Sequence, residues 1–464
     1  METAPGKSTI CTHPTRRLGE GRRAAPTVTG ESKRAAIDAA AWPRVANVPS
    51  GRLIRLRARR AEAEFATACA RGDIELDGGV APDGPELTIY EDALFCRIAR
   101  DGWLGLAESY LAGEWDTPDS DGLVVVLRKL LRSGYHPRSK KVSRSPDPGG
   151  EIPLSLLERY SGDGLTDYGG IFASGIPTTT RTSVDSYAPG AGRRGEPKTH
   201  FVDVRTYDEP RQVDRDDLAA AQRRATHQLL DAAEVTPGTH LLVYPGAGVA
   251  AAVNAAERRA TVDILTADED FLPGLKDAAI YAGVEDSVHA AVIDQAVPGP
   301  QQWRGRYDGI VVIDKLAAAT DSQRRVLVGG LDRMLAPGGR AVLQSTVATP
   351  ALTAAGKGAL GALRAYIWPG LDYPETSAVH RLVDRHSGLR IIAETHTGAH
   401  AAESLAMQRS FFSGQLREAA ASGFDAVFRR LWTYQLALRE ALMREGMIDS
   451  VQFTAVRRNR GGRR

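Results

Sequence analysis

His240-Leu241-Leu242-Val243-Tyr244-Pro245-Gly246-Ala247-Gly248-Val249 sets a five-residue apolar run against a turn of proline and glycine, and a helix pattern of small residues follows. A short apolar run entered from a helical pattern over 216–233 and left through glycines reads as a buried strand. Toward the C-terminus the alternation of strand and helix continues. Strand patterns recur at 260–265, 290–293 and 309–313, each separated by helix-length segments, and Pro337-Gly338-Gly339 turns the chain into another strand at 340–344. Strands alternating with helices predict an α/β fold with a parallel, Rossmann-like sheet built from right-handed crossovers. No internal repeat is evident.

Before this region lies a segment, 133–200, rich in Ser, Pro, Gly and Thr, with one apolar helix candidate at 152–160. It reads as a linker or a degenerate lid over a site. Residues 51–132 form a small N-terminal module. It contains a helix over 53–70 whose Leu53, Ile54, Leu56 and Phe65 alternate with Arg52, Arg55, Arg57, Arg59 and Arg60, then a strand at 87–90 and further helices. The basic helix fits docking on the next domain with a solvated face, and it also fits a membrane surface. Residues 1–50 mix Pro, Gly, Thr and Arg without periodicity and read as a disordered basic arm, and 456–464 as an arginine-rich tail.

Composition narrows the function classes. The 464 residues carry 59 Lys and Arg against 57 Asp and Glu, a net charge of +2, so no global field holds nucleic acid, and nucleic acid is not an expected partner. Cys11, Cys69 and Cys96 are odd in number and widely spaced, which supports neither a disulfide framework nor a metal site. No apolar run approaches the roughly 18 residues of a spanning helix. A cytoplasmic protein, with peripheral membrane contact through its arginines, is the expectation.

Several motifs carry a resemblance. The segment from Gly102 to Asp116 resembles the "GLGEAYMAGDWD" of the cyclopropane-fatty-acid synthases, the mycolic acid cyclopropane synthases among them, which transfer a methyl group from S-adenosylmethionine to the double bond of an acyl chain. Tyr366 to Gly370 is similar to the family's "KYIFPGG", Gly398 to Leu405 to "GPHYARTL", and Gly423 through Gln452 to its closing region. The resemblance implies a seven-stranded methyltransferase sheet over 201–455.

It also implies a site whose residues are largely replaced. The family's "EIGCGWG" loop, one acid and three glycines, falls on Val243, Pro245, Ala247 and Val249. Side chains there crowd the backbone that a methionine moiety approaches. The cofactor positions that remain are Gly246, Gly248, Thr266 and Asp294, with Phe271 where the family carries Gln. A tight strand-to-helix turn needs Gly246 and Gly248 with or without a ligand. Methyl transfer to an alkene generates a carbocation that must lose a proton to a fixed base. The family positions that hold that base fall on Val204, Ala317 and Ala401, and the retained polar candidates are Gln344, His400 and Glu440. The implied cofactor is S-adenosylmethionine if the site is active, and none if it is not. The expected role is a degenerate family member, a non-catalytic scaffold or regulator of lipid modification with phospholipid or acyl chains and a protein partner. The alternative is an active methyltransferase on unsaturated phospholipid acyl chains.

Overall fold

The computed structural model describes residues 37–76, 86–139, 142–145, 150–172, 177–193, 196–214, 216–245, 248–294, 297 and 305–458. The N-terminal module holds helices α1 (Arg52–Arg71), α2 (Ala93–Asp101), α3 (Trp103–Leu111) and α4 (Ser120–Arg132), with a two-stranded ladder pairing Thr88–Ile89 with Trp115–Asp116. Two glycines explain why the 102–116 segment folds as it does. Gly102 takes a left-handed φ of 58° between α2 and α3, a conformation that L side chains rarely adopt. At Gly105 a Cβ would lie 2.1 Å from the Arg97 carbonyl oxygen, so only glycine lets the two helices cross this closely.

The same crossing buries Arg97. Its guanidinium pairs with Glu114 at 3.0 Å and donates to the carbonyls of Arg44 and Val45, each at 2.7 Å. Those bonds anchor a short helical turn, Pro43–Ala46, whose Val45 is fully buried. Residues 37–50 of the expected arm are thus part of the fold, because the buried arginine takes up the backbone carbonyls of Arg44 and Val45. The rest of the expected arm, 1–36, lies outside the described residues, as do 459–464 of the tail.

The main sheet has nine strands: β1 (Thr178–Asp185), β2 (Thr199–Thr206), β3 (His240–Tyr244), β4 (Thr261–Thr266), β5 (Val288–Val292), β6 (Tyr307–Ile313), β7 (Leu335–Ala348), β8 (Leu389–His396) and β9 (Ile448–Arg457). Their order across the sheet is β1-β2-β8-β9-β7-β6-β3-β4-β5. Strands β3 to β7 run parallel to one another, β9 runs antiparallel between β7 and β8, and β2 runs parallel to β8. The expectation of seven strands is thus corrected to nine. The two additional strands form the hairpin β1–β2, which lies in part within the segment read as a linker.

Alternate residues of the central strands enter two apolar layers. Leu242, Ile310, Val312 and Leu343 face one side; Leu241, Val243, Val311 and Val342 face the other, against helices α5 (Asp217–Ala232) and α6 (Val249–Glu257). A third cluster joins the N-terminal module to helices α7 (Ala354–Tyr366), α8 (Gly398–Gly414) and α9 (Ala426–Arg444). Through it the module caps one end of the sheet. Among the described residues no helix is long and apolar enough to cross a membrane.

Candidate functional site

An open sheet binds ligands beyond the C-terminal ends of its strands, where the strand order reverses. Here the chain leaves β3 toward β4 and β5, then returns to build β6 and β7 on the other side, so the reversal lies between β3 and β6. Tyr244 ends β3, and Asp314 and Lys315 follow β6 directly.

Two groups of polar residues gather there. The first surrounds Asp314, which sits at a left-handed φ of 50°, a strained conformation for a residue with a Cβ. Its carboxylate accepts the Thr346 amide at 3.1 Å. With Gln344, Ala401, Gln408, Arg439 and the Asp167–Gly169 loop it lines a void of only about 10 Å³, close to the least that a single water needs. Burial pushes the Asp314 carboxyl up to about 6, although Arg439 and the Thr346 amide pull the other way. Burial opposes charge on Arg439 too, but Tyr373, Asp167 and Asp314 more than offset it, and its pKa is raised. Asp167 in turn accepts the Tyr160 hydroxyl at 2.6 Å.

The second group covers the end of β3. Lys315 is 8% exposed, and its ammonium stands 5.4 Å from the centre of the Tyr244 ring. Burial lowers its pKa, and Glu151 acts in the opposite sense. The Glu151 carboxylate accepts the Ala267 amide at 3.4 Å just past β4. Burial raises the Glu151 pKa despite that amide and Lys315.

The structure distributes the sequence candidates unevenly. Gln344 and Ala401 meet in the small void, where Gln344 donates to Ser450 at 2.8 Å and its carbonyl oxygen has no partner among the described residues. Ala317 is buried in the short helix Lys315–Ala318. Val204 lies on β2 in register with Glu394 of β8, outside the residues lining the void. The loop that reaches Ala401 is Asp167–Gly170, with Gly169 so close that an added Cβ would sit 2.9 Å from the Ala401 Cα and Cβ.

The polar atoms of His400 and Glu440 are engaged within the fold. His400 accepts the Phe172 amide at 2.9 Å and donates to the Asp208 carbonyl at 2.8 Å, which uses both ring nitrogens. Glu440 is held between Arg409 at 3.0 Å and Arg444 at 2.8 Å. Of the cofactor candidates, Gly248 precedes α6 in close contact with Val243, Thr266 is buried at the end of β4, and Asp294 is exposed beyond β5. Gly246 and Ala247 lie outside the described residues. Sequence reasoning missed Asp314, Lys315, Glu151, Asp167 and Arg439. The adjacent charges of Asp314 and Lys315, immediately after an apolar strand, were the available signal.

A larger cleft of about 610 Å³ opens beside β8 and β9, lined by Tyr207, His396, Glu403, Arg444 and Asp449 among others. Its cations are already paired: His396 with Asp449 at 2.7 Å and Glu394 at 3.2 Å, and Arg444 with Glu440 and Glu403. Among the described residues no group of three His, Cys, Asp or Glu is arranged to hold a metal ion.

Comparison with known proteins adds a family. The model of the mycolic acid cyclopropane synthetases matches residues 206–453, more than half of the chain. The tuberculostearic acid methyltransferase UfaA1 of Mycobacterium tuberculosis is 28% identical over 442 residues, covering 92% of this chain and 98% of the relative. Among solved structures, mycolic acid cyclopropane synthase CmaA1 complexed with SAH and CTAB aligns at 20% identity over 51% of this chain and 85% of its own, with a TM-score of 0.45. The cyclopropane synthase MmaA2 from Mycobacterium tuberculosis aligns at 20% over the same shares, with a TM-score of 0.43.

Proposed function

The chain belongs to the mycolic acid cyclopropane synthetase family of S-adenosylmethionine-dependent methyltransferases, and from that premise we propose that it serves lipid acyl-chain modification as a non-catalytic member, a scaffold or regulator. The observation that carries this reading is the centre of the fold. Where the resemblance implies groups that hold a base, Ala317 and Ala401 offer methyl groups, and Asp314, Arg439 and Asp167 fill the space beside Ala401 with charge and leave about 10 Å³. An alkyl chain gains nothing from such a lumen, because entering it strips water from ions without replacing their partners.

The residues present do not fit the family's cofactor either. The end of β3 is covered by the side chain of Lys315, a cation where a cationic sulfonium ligand would have to approach. The deciding experiment is mass spectrometry of monounsaturated phospholipids incubated with the protein and isotopically labelled S-adenosylmethionine. No labelled methyl or methylene unit is expected; its appearance with the unmodified protein overturns the reading.

One observation favours a second reading, an active methyltransferase on unsaturated phospholipid acyl chains. Asp314 places a carboxylate beside Gln344 and Ala401, with a pKa near 6 that makes it a competent base at neutral pH. In that case Asp314→Asn abolishes the labelled product.

A further inference from the structure

The hairpin that widens the sheet to nine strands also forms its outer edge, and we propose that this edge, β1, is a dimerisation surface that pairs antiparallel with β1 of a second copy of the chain. Such a dimer forms whether or not the site is catalytic.

Strand β1 stands last in the strand order and pairs with β2 over eight residues without a bulge. Among the described residues no strand takes up its outer side. That side presents a row of N–H and C=O groups to water, which is a template for another strand. Proteins commonly blunt such edges with proline, lysine or a bulge. None of these occurs between Thr178 and Asp185, where four threonines and a valine favour the extended backbone instead. The strand is also held firmly from behind: Val184 packs, beside the fully buried Val202 of β2, on the same apolar layer as Val312 and Leu343.

The order of side chains along β1 selects a second copy as the occupant. In an antiparallel ladder, residues directly opposite one another both turn their hydrogen-bonding groups toward the partner strand or both away from it. A strand paired with its own copy therefore has a residue, not a peptide bond, on the twofold axis. With Arg181 on the axis, two guanidinium groups meet, which is unfavourable. With Thr182 there, Arg181 faces Ser183. With Ser183 on the axis, Arg181 faces Asp185 of the second copy, and symmetry makes this pair twice; Thr182 then faces Val184, a match of β-branched side chains. Asp185 is exposed and has no ion pair among the described residues, whereas Arg181 is held by Asp203 at 2.9 Å and lies over the Phe201 ring. A row of carboxylate, guanidinium and carboxylate thus crosses the boundary on the face that carries Phe201. The twofold arrangement also closes, covering both β1 edges at once, whereas β1 added to β5 of the next copy leaves free edges and grows into a fibre.

Sedimentation equilibrium of the full chain from about 1 to about 100 μM tests the pairing, with a reversible dimer expected in that range. Asp185→Arg sets Arg181 against a second cation, and Arg181→Asp sets Asp185 against a second carboxylate; each alone is expected to weaken the dimer at least about tenfold. Mixed in equal amounts, the two variants restore both opposite-charge pairs, and a heterodimer close to the parent in affinity is expected. Both positions are exposed, so each variant is expected to keep the circular dichroism of the parent. A chain that stays monomeric at about 100 μM overturns the proposal and leaves the edge to a strand of another protein. A dimer that both variants leave intact has its interface elsewhere and overturns it as well. Two monomeric variants whose mixture stays monomeric overturn the register, and with it the charge complementarity that selects a second copy.

Discussion

His396 illustrates how much of this site is already committed to holding itself together. Burial alone would lower its pKa, but bonds to Asp449 and Glu394 raise it from 6.5 to about 9. Burial likewise opposes charge on Glu394, yet the bonds from His380 and His396 bring it from 4.5 to about 2. The raised histidine contributes stability that is complete below pH 6.5 and lost as pH rises through about 9; the depressed carboxylate contributes stability present above pH 4.5 and lost as pH falls toward 2. His396→Gln is therefore expected to cost on the order of 2 kcal/mol at neutral pH and to flatten the decline in stability between pH 7 and 10, read by urea denaturation across that range. A variant with the parent's alkaline decline contradicts the assignment. Ala401 supplies a second test at this scale. Gly169 lies against it without room for a methyl group, so Ala401→Tyr overpacks the site and should lower stability by about 1–3 kcal/mol without creating activity. That alanines stand at 317 and 401 was legible in the sequence, and the structure buries both, Ala401 in the wall of the small void. The charges that fill the space were signalled only by the adjacent Asp314 and Lys315 after an apolar strand, because it is the sheet that brings Asp314 into one void with Arg439 and Lys315 over Tyr244.

At the scale of elements, α1 has an outer face that nothing among the described residues covers. Leu53 and Leu56 are 71% and 68% exposed in its first two turns, among Arg52, Arg55, Arg57, Arg59 and Arg60, while Ala61, Phe65, Ala68 and Cys69 make the buried face. Basic residues flanking exposed leucines suit an anionic lipid surface. The protein should sediment with vesicles containing anionic lipid, less so as salt rises, and Leu53→Ser with Leu56→Ser should weaken binding by more than about tenfold, since each inserted leucine contributes roughly 1.5–3 kcal/mol. Equal sedimentation with neutral vesicles removes the claim. This helix was legible nearly to its ends, because an amphipathic helix announces itself by period. The hairpin β1–β2 was not. Every residue of β1 except Val184 is exposed, so the strand shows no apolar alternation, and its threonines resemble a loop to any reading based on burial. What remained readable in β3 to β7 was the part that the two apolar layers enclose.

On the scale of the whole molecule, the N-terminal module and the sheet share one interior, and this bears on what a scaffold of this kind can do. A single apolar cluster runs from Val45, Phe65 and Trp115 through Ala401 and Tyr434 to Ile448. Its seam is aromatic and ionic: the Tyr110 and Tyr434 rings lie 5.7 Å apart, and the Arg430 guanidinium stacks 3.9 Å above Tyr110 while donating to its carbonyl and to Asp116. Ala401 belongs to this cluster and to the wall of the small void, so strain in the module reaches the site through packed side chains. The two parts should therefore unfold together. Trp115 is fully buried, 5.2 Å from Tyr110, with its indole nitrogen donating to the Leu106 carbonyl. Trp115→Ala is expected to cost about 3–5 kcal/mol. That loss should appear equally in the amides of α3 and of β3 and β6 when native-state hydrogen exchange is followed by mass spectrometry, because a shared core opens as one unit. Faster exchange confined to residues 86–132, with the sheet unchanged, would mean that the module is an independent domain and that its aromatic seam transmits nothing to the lumen around Asp314.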